Sequence, residues 1–281
     1  MTDPSAEVQR EIYGDGAGVG ALLRAGGLRP TLRISAAFVW TGACLLGLLT
    51  GMGVLLVTPG LRRRWRHGAI QRWARGLGRI VGMKARIEGP LPRAPFFLVA
   101  NHLSYLDIVL LLGHVEGVFV AKRELGQWPI LGYLTRLTGT IFLNRSSSRD
   151  TLRAMEAIEA RIAAGDGVIV FPEGTSSSGD DVYPMKPALF EWAARRGYPV
   201  HVASIEYRAP DNGPSARETL CWWGDMAFLP HVIALCRMPG FVADVVFGPE
   251  PLVGEDRGWL ADQARARIAG LRQRDQTWGA G

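Results

Sequence analysis

Residues 94–107 read APFFLVANHLSYLD: an apolar run without a charge through Ala100, then a polar turn at Asn101 and His102, then a carboxylate at Asp107. A short apolar run closed by polar residues predicts a strand buried on both faces, the pattern of a parallel sheet. Outward from it the same pattern recurs as GVFVAK (117–122), GTIFLN (139–144), GVIVFPEG (167–174), YPVHVASIEY (198–207) and FVADVVFG (241–248). Between these runs lie helical stretches such as TLRAMEAIEARIAA from Thr151 to Ala164. Strands interleaved with helices predict the α/β class, with a largely parallel sheet flanked by helices over 89–281. In such sheets functional groups collect at the carboxyl ends of strands.

The N-terminal third obeys another rule. Ile34 to Val57 (ISAAFVWTGACLLGLLTGMGVLLV) is 24 residues without a charge, long enough to cross a hydrocarbon layer of ~30 Å at ~1.5 Å per residue. It is too long, and begins too far into the chain, for a signal peptide. The expectation is a membrane-inserted helical segment over 34–60, preceded by a flexible tail (1–33). Gly42, Gly47, Gly51 and Gly53 leave a re-entrant hairpin open beside a full span. Over 61–88 a basic amphipathic helix is expected: Ile70, Trp73, Leu77 and Ile80 fall on one face and Arg72, Arg75 and Arg79 on the other. It is either an interfacial helix whose arginines reach lipid phosphates or a surface helix packed on the domain.

Charge and cysteine counts narrow the classes. The 281 residues are 48% hydrophobic, which excludes a disordered chain. Between Asp15 and Glu88 there are twelve Arg or Lys and no acidic residue, against a net +6 for the whole chain, so the remainder sums to 6 − 12 = −6. Basic residues bracketing an apolar run favour an anionic membrane surface over nucleic acid as partner. Their bias toward the side of Arg62, Arg63, Arg64, Arg66 and Arg72 places the chain beyond the apolar run in the cytoplasm by the positive-inside rule. Cys44, Cys221 and Cys236 are widely spaced, giving neither a disulfide framework nor a zinc site, as expected in a reducing compartment.

Three constellations can carry chemistry. His102 and Asp107 are five residues apart and meet only if the chain turns sharply between strand and helix. A carboxylate on one imidazole nitrogen fixes the tautomer and makes the other a base; the bland alternative is a structural hydrogen-bonded pair. FPEGT puts Glu173, Gly174 and Thr175 at a strand end, suited to orienting a polar head group or simply forming a turn. FLNR ends on Asn144 and Arg145, where a guanidinium can grip a phosphate or stay solvated. His67, His114, His201 and His231 lack a partner pattern and read as structural. No GxSxG, HExxH or GxxxxGK[ST] supplies a nucleophile, metal site or phosphate loop. A base without an enzyme nucleophile suits a substrate hydroxyl that itself attacks.

Asn101-His102 with Asp107 resembles the NHxxxxD signature of the glycerolipid acyltransferase family that includes bacterial 1-acyl-glycerol-3-phosphate acyltransferases. FLNR, FPEGT and the apolar strand PVHVASI come after it in the family's order, and the similarity spans roughly residues 60 to 250. The resemblance implies that 89–281 is an acyltransferase domain in which His102 deprotonates the acceptor hydroxyl and Asp107 orients and charges His102. It implies too that Asn144, Arg145 and Glu173 hold the acceptor head group while Gly174 and Thr175 shape the pocket, with Lys186 as a further basic binding residue. It implies direct attack on an acyl-ACP or acyl-CoA thioester as co-substrate, no metal or nucleotide cofactor, and a lysolipid acceptor at a bacterial inner membrane. YPMKPALF after FPEGT, Val202 in place of the family's frequent proline, and CWWGDMAFLPH from Cys221 are similar to a branch that includes lyso-ornithine lipid acyltransferases. The expected acceptor is 1-acyl-glycerol-3-phosphate, with a lyso-aminolipid as alternative. A non-catalytic lipid-binding protein and a membrane-tethered hydrolase are the rival classes.

Overall fold

The computed structural model describes residues 27–55, 58–123, 135, 138–143, 148–210 and 214–278. The tail before residue 27, and Asn144 and Arg145, lie outside the described residues. The elements run α1 (Leu28–Val54), α2 (Pro59–Val81), β1 (Met83–Glu88), β2 (Phe97–Ala100), α3 (Leu106–Leu112), β3 (Gly117–Lys122) and β4 (Ile141–Leu143). They continue with α4 (Ser148–Ala163), β5 (Gly167–Val170), α5 (Glu191–Arg196), β6 (Val200–Arg208), α6 (Ala216–Thr219), α7 (Phe228–Arg237), β7 (Phe241–Phe247) and α8 (Arg257–Trp278).

Among the described residues the strands form one sheet in the order β1-β7-β6-β2-β5-β3-β4. Every neighbouring pair is parallel except β6 with β7. The α/β class with a largely parallel sheet is therefore as the sequence predicts. β2 sits in the middle, Phe97 paired with Val168 of β5 on one side and Val200 of β6 on the other. Its alternate residues feed two cores. Leu98 and Ala100 pack with Leu110 and Leu111 of α3 and with Ile205 of β6. Phe97 and Val99 pack with Ile158 of α4, Trp192 of α5 and Leu260 and Ile268 of α8. Phe97, Leu98 and Val99 are fully buried, and each contributes roughly 1.5–3 kcal/mol of hydrophobic stabilisation. Burial on both sides is why this strand carries no polar residue before Asn101.

Two boundaries differ from the sequence expectation. The basic helix ends at Val81, not at residue 88, and Met83–Glu88 is an edge strand parallel to β7, from Met83↔Phe241 to Glu88↔Val246. Lys84 and Arg86 are exposed there while Met83 and Ile87 pack on the core. Charged residues on an outer strand blunt its open edge, so the same charges that read as a continuing helix face belong to a strand. At the other end α1 starts at Leu28, six residues before the uncharged run. Arg33 donates to the carbonyls of Met238 (2.6 Å) and Pro239 (3.1 Å), and Arg29 to that of Arg237 (3.2 Å), capping the C-terminal end of α7. These arginines serve the domain and do not end the helix.

α1 and α2 pair along their length. The Trp65 ring lies where a Cβ on Gly51 would be, and the Trp40 ring where one on Gly76 would be, so only glycine admits these contacts. Trp40 Nε1 donates to the Trp73 carbonyl (3.0 Å) and Trp73 Nε1 to Thr41 Oγ1 (3.1 Å). α2 is pinned to the sheet by a buried ion cluster: Asp166, just before β5, accepts from Arg66 (2.7 Å) and pairs with His67 Nε2 (2.7 Å). Burial alone would raise the Asp166 pKa, but the hydrogen bonds from His67 and Arg66 outweigh it and hold the carboxyl down at about 2. With Arg33 engaging the domain at one end of the pair and Arg66 at the other, the hairpin lies along the α/β domain. α1 is long and apolar enough to cross a membrane. Its outer side chains Phe38, Val39, Leu46 and Val54 are 65–74% exposed, an apolar face with no protein cover.

Candidate active site

The chain leaves β2 at Ala100 and turns before α3, and this turn builds the site. The Asn101 side chain continues the sheet after the strand ends: Nδ2 donates to the Ile205 carbonyl (2.9 Å) and Oδ1 accepts from Ile205 N (2.7 Å). The turn brings Asp107, in the first turn of α3, back onto the loop before it. Asp107 Oδ2 accepts from Leu103 N (2.7 Å), Ser104 N (3.0 Å) and His102 Nδ1 (2.6 Å). His102 and Asp107 thus meet as the sequence required, by a sharp turn and not by helical spacing.

Asp107 is fully buried, and its second oxygen, Oδ1, accepts from the Tyr207 hydroxyl at 2.5 Å. Donors on both oxygens hold this buried carboxylate in one orientation. The His102 ring lies flat on Phe171 (centroids 4.2 Å, interplanar 8°), which stacks in turn on Phe119 (5.4 Å). The ring is fixed in plane by the stack and in rotation by Asp107. With Nδ1 directed to Asp107, Nε2 is the nitrogen left for a substrate, on a side chain that keeps 19% exposure.

The loop after β5 locks the other side of the turn. Glu173 Oε1 accepts from His102 N (2.7 Å) and Oε2 from Tyr183 N (2.9 Å). Ser177 N donates to the His102 carbonyl (2.9 Å) and Trp222 N to the Leu103 carbonyl (2.8 Å). Burial pushes the Glu173 pKa up to about 7, against the lowering effect of its two backbone donors. The resemblance implied that Glu173 holds the acceptor head group; here Glu173 is 3% exposed and its carboxyl faces inward, spanning two loop backbones and fixing the turn that carries His102.

Gly174 comes next at φ +76°, a left-handed conformation that reverses the chain after Glu173. Thr175 is exposed beyond it. Lys186 is exposed and its backbone N donates to the Pro172 carbonyl (2.9 Å). It stands at the edge of an apolar cavity of about 220 Å³ lined by Val120, Leu143, Ile158, Val170 and Leu189. His102, Asp107, Glu173 and Gly174 thus converge at the carboxyl ends of β2 and β5, while Thr175 and Lys186 sit at the surface around them. Asn144 and Arg145 lie outside the described residues. Tyr207, Phe171 and Asn101 are contributors to which the sequence alone gives no role. The signal for Tyr207 is the alternation Ala203, Ile205, Tyr207 on β6, which directs it to the face where Leu98 and Ala100 lie.

The four remaining histidines have structural surroundings. His67 is in the ion cluster, and His114 Nδ1 lies 2.7 Å from the Leu110 carbonyl. Buried His231 sits between the Tyr105 hydroxyl (3.0 Å) and the Cys221 carbonyl (3.2 Å), its pKa lowered to about 4 by burial against the opposing effect of that carbonyl. Half-buried His201 lies on β6, with its pKa lowered by desolvation. Among the described residues no cluster of three or more His, Cys, Asp or Glu side chains is arranged to hold a metal ion.

A buried carboxylate on one imidazole nitrogen, with the other nitrogen left for a substrate at the carboxyl end of a parallel sheet, is the arrangement of a general base. Residues 83–206 match the family model described as Acyltransferase, and the chain belongs to that family. Its relatives act on lysolipids by name. It is 34% identical over 232 residues to the lyso-ornithine lipid O-acyltransferase of Rhizobium meliloti, covering 74% of this chain and 77% of the relative. It is 30% identical over 205 residues to the 1-acyl-sn-glycerol-3-phosphate acyltransferase of Neisseria meningitidis, covering 72% and 80%. The fold matches the crystal structure of the 1-acyl-sn-glycerophosphate (LPA) acyltransferase PlsC from Thermotoga maritima. The TM-score is 0.59 at 23% identity, over 87% of this chain and 98% of that one.

Proposed function

We propose that the protein transfers a fatty acyl group from an acyl-ACP or acyl-CoA thioester to the free hydroxyl of a lysolipid, with lyso-ornithine lipid as the acceptor. The observation that carries the reading is the Asp107–His102 pair at 2.6 Å, with Nε2 left for the substrate. His102 Nε2 takes the proton from the acceptor hydroxyl as its oxygen bonds to the thioester carbonyl carbon. The tetrahedral adduct collapses, the carbon–sulfur bond breaks, and the leaving thiolate takes the proton back from His102. The ionised Asp107 stabilises the imidazolium between the two transfers. The reaction as written calls on no metal or nucleotide cofactor.

Lyso-ornithine lipid as acceptor draws support from relatives with that name, among them those of Rhizobium meliloti at 34% identity and Rhodobacter capsulatus at 32%. The second reading, 1-acyl-sn-glycerol-3-phosphate, is favoured by the Neisseria meningitidis relative at 30%. Asn144 and Arg145 would bind the acceptor's anionic group, a carboxylate in the first case and a phosphate in the second, with Thr175 and Lys186 at the rim. The α1–α2 hairpin beds its exposed apolar face in the inner leaflet of a bacterial inner membrane, its arginines among anionic head groups, with the catalytic domain on the cytoplasmic side. The test is mass spectrometry of the product formed in detergent micelles holding both lysolipids and an acyl thioester. Diacylated ornithine lipid supports the first reading, phosphatidate the second, and free fatty acid without an acylated lipid contradicts both.

A further inference from the structure

The dyad has a third member. Tyr207, on β6, packs its ring edge-on against Phe241 (6.0 Å, 76°), is 5% exposed, and donates its hydroxyl to Asp107 Oδ1. The three other donors to Asp107 all converge on Oδ2. The phenol therefore satisfies the one carboxylate oxygen that the turn itself leaves open, in a site closed to water. We propose that Tyr207 is a positioning residue of the acyl transfer: its hydroxyl clamps the far oxygen of Asp107, and through it fixes the orientation and charge that Asp107 presents to His102. This rests on the acyl-transfer reading above.

The phenol remains a donor throughout the working range, because burial and the charge of Asp107 push its pKa well above the usual tyrosine value. A donor on Oδ1 draws negative charge away from Oδ2, so removing it leaves more charge facing the imidazole and favours the imidazolium. His102 must be neutral to accept a proton, so the acid limb of the pH–rate profile moves to higher pH. The other titratable groups around the dyad are Glu173 on the loop after β5, Tyr105 before α3, and Cys221, whose thiol burial pushes up to about 12. All three side chains are kept in the proteins compared, so the NMR signal of His102 itself separates its titration from theirs.

The test compares wild type, Tyr207→Phe and Phe241→Leu as full-length proteins. Tyr207→Phe keeps the ring and removes only the hydroxyl; Phe241→Leu loosens the ring packing and keeps the hydroxyl. For Tyr207→Phe the expected result is a kcat loss of about 10- to 100-fold with KM for donor and acceptor within about twofold, and an acid limb raised by about half a unit or more. Phe241→Leu leaves the limb in place. NMR titration of the His102 imidazole, assigned by its absence in His102→Gln, reads the same displacement without substrate. That displacement in a protein that acylates no lysolipid would keep the Tyr207 assignment and sink the acyl-transfer reading. An acid limb and imidazole titration unmoved in Tyr207→Phe, or moved equally in Phe241→Leu, would overturn the assignment.

Discussion

Replacing Asp107 by Asn separates the charge of the dyad from its geometry. The amide oxygen can take the place of Oδ2, because the donors there are His102 Nδ1, Leu103 N and Ser104 N, and an amide NH2 would oppose all three. The amide nitrogen then occupies the place of Oδ1, and the Tyr207 hydroxyl rotates from donor to acceptor. Every hydrogen bond survives in neutral form, so the stability loss is small, about 1–2 kcal/mol. The imidazolium formed during transfer loses its carboxylate 2.6 Å away. Positioned acid–base groups contribute about 10²- to 10⁴-fold, equivalent to about 3–5 kcal/mol of barrier at ~1.4 kcal/mol per decade. Thiol release from an acyl thioester with saturating lysolipid should fall by that factor while the thermal midpoint stays within a few degrees. The remaining activity should keep a lower acid limb, since no anion then favours the charged ring. An Asp107→Asn protein that turns over within about tenfold of wild type would show that the carboxylate's charge does not drive the base.

The buried carboxyls give two further outcomes. Glu173→Gln must turn an amide NH2 toward either His102 N or Tyr183 N, so one of the two loop hydrogen bonds is lost; kcat falls while the protein stays folded. Because the Glu173 pKa is raised from 4.5 to about 7, its contribution to stability is fully present below pH 4.5 and is lost as pH rises through about 7. This amounts to on the order of 3 kcal/mol, and chemical denaturation at pH 4.5 and pH 8 should show that component in wild type and not in Glu173→Gln. Asp166 carries the opposite sign: held at about 2, it stabilises above its unfolded pKa near 3.8 and loses that contribution as pH falls toward 2. Asp166→Asn leaves Arg66 and His67 without their anion and should cost about 3–5 kcal/mol in denaturant unfolding at pH 7.

What is legible in the sequence is what depends on local pattern. β2 and β5 are uncharged because both faces are covered, and runs such as APFFLVA and GVIV declare it; β3 and β7 carry one charge each, and β6 carries its two, Glu206 and Arg208, at its C-terminal end. β1 is not legible, because an edge strand keeps Lys84 and Arg86 on its exposed side and so copies the charge pattern of the helix before it. Nor is the true start of α1, since Arg29 and Arg33 look like a membrane flank until the carbonyls at the end of α7, some two hundred residues on, are seen to take them. The same division holds in the site. His102 and Asp107 are five residues apart and their pairing comes from the strand–turn–helix pattern alone. The bridging of two loops by Glu173 is not legible, because its partners, the backbone N–H groups of His102 and Tyr183, carry no sequence signature. Tyr207 reads as one more strand aromatic because its partner lies 100 residues away.

The most direct test of the central claim is the rate of thiol release from acyl-CoA and from an acyl carrier protein thioester, with and without lysolipid, in wild type and His102→Ala. Release should require the lysolipid and fall by about 10²-fold or more in His102→Ala. Release that proceeds equally without an acceptor, or that survives the loss of His102, would contradict that claim.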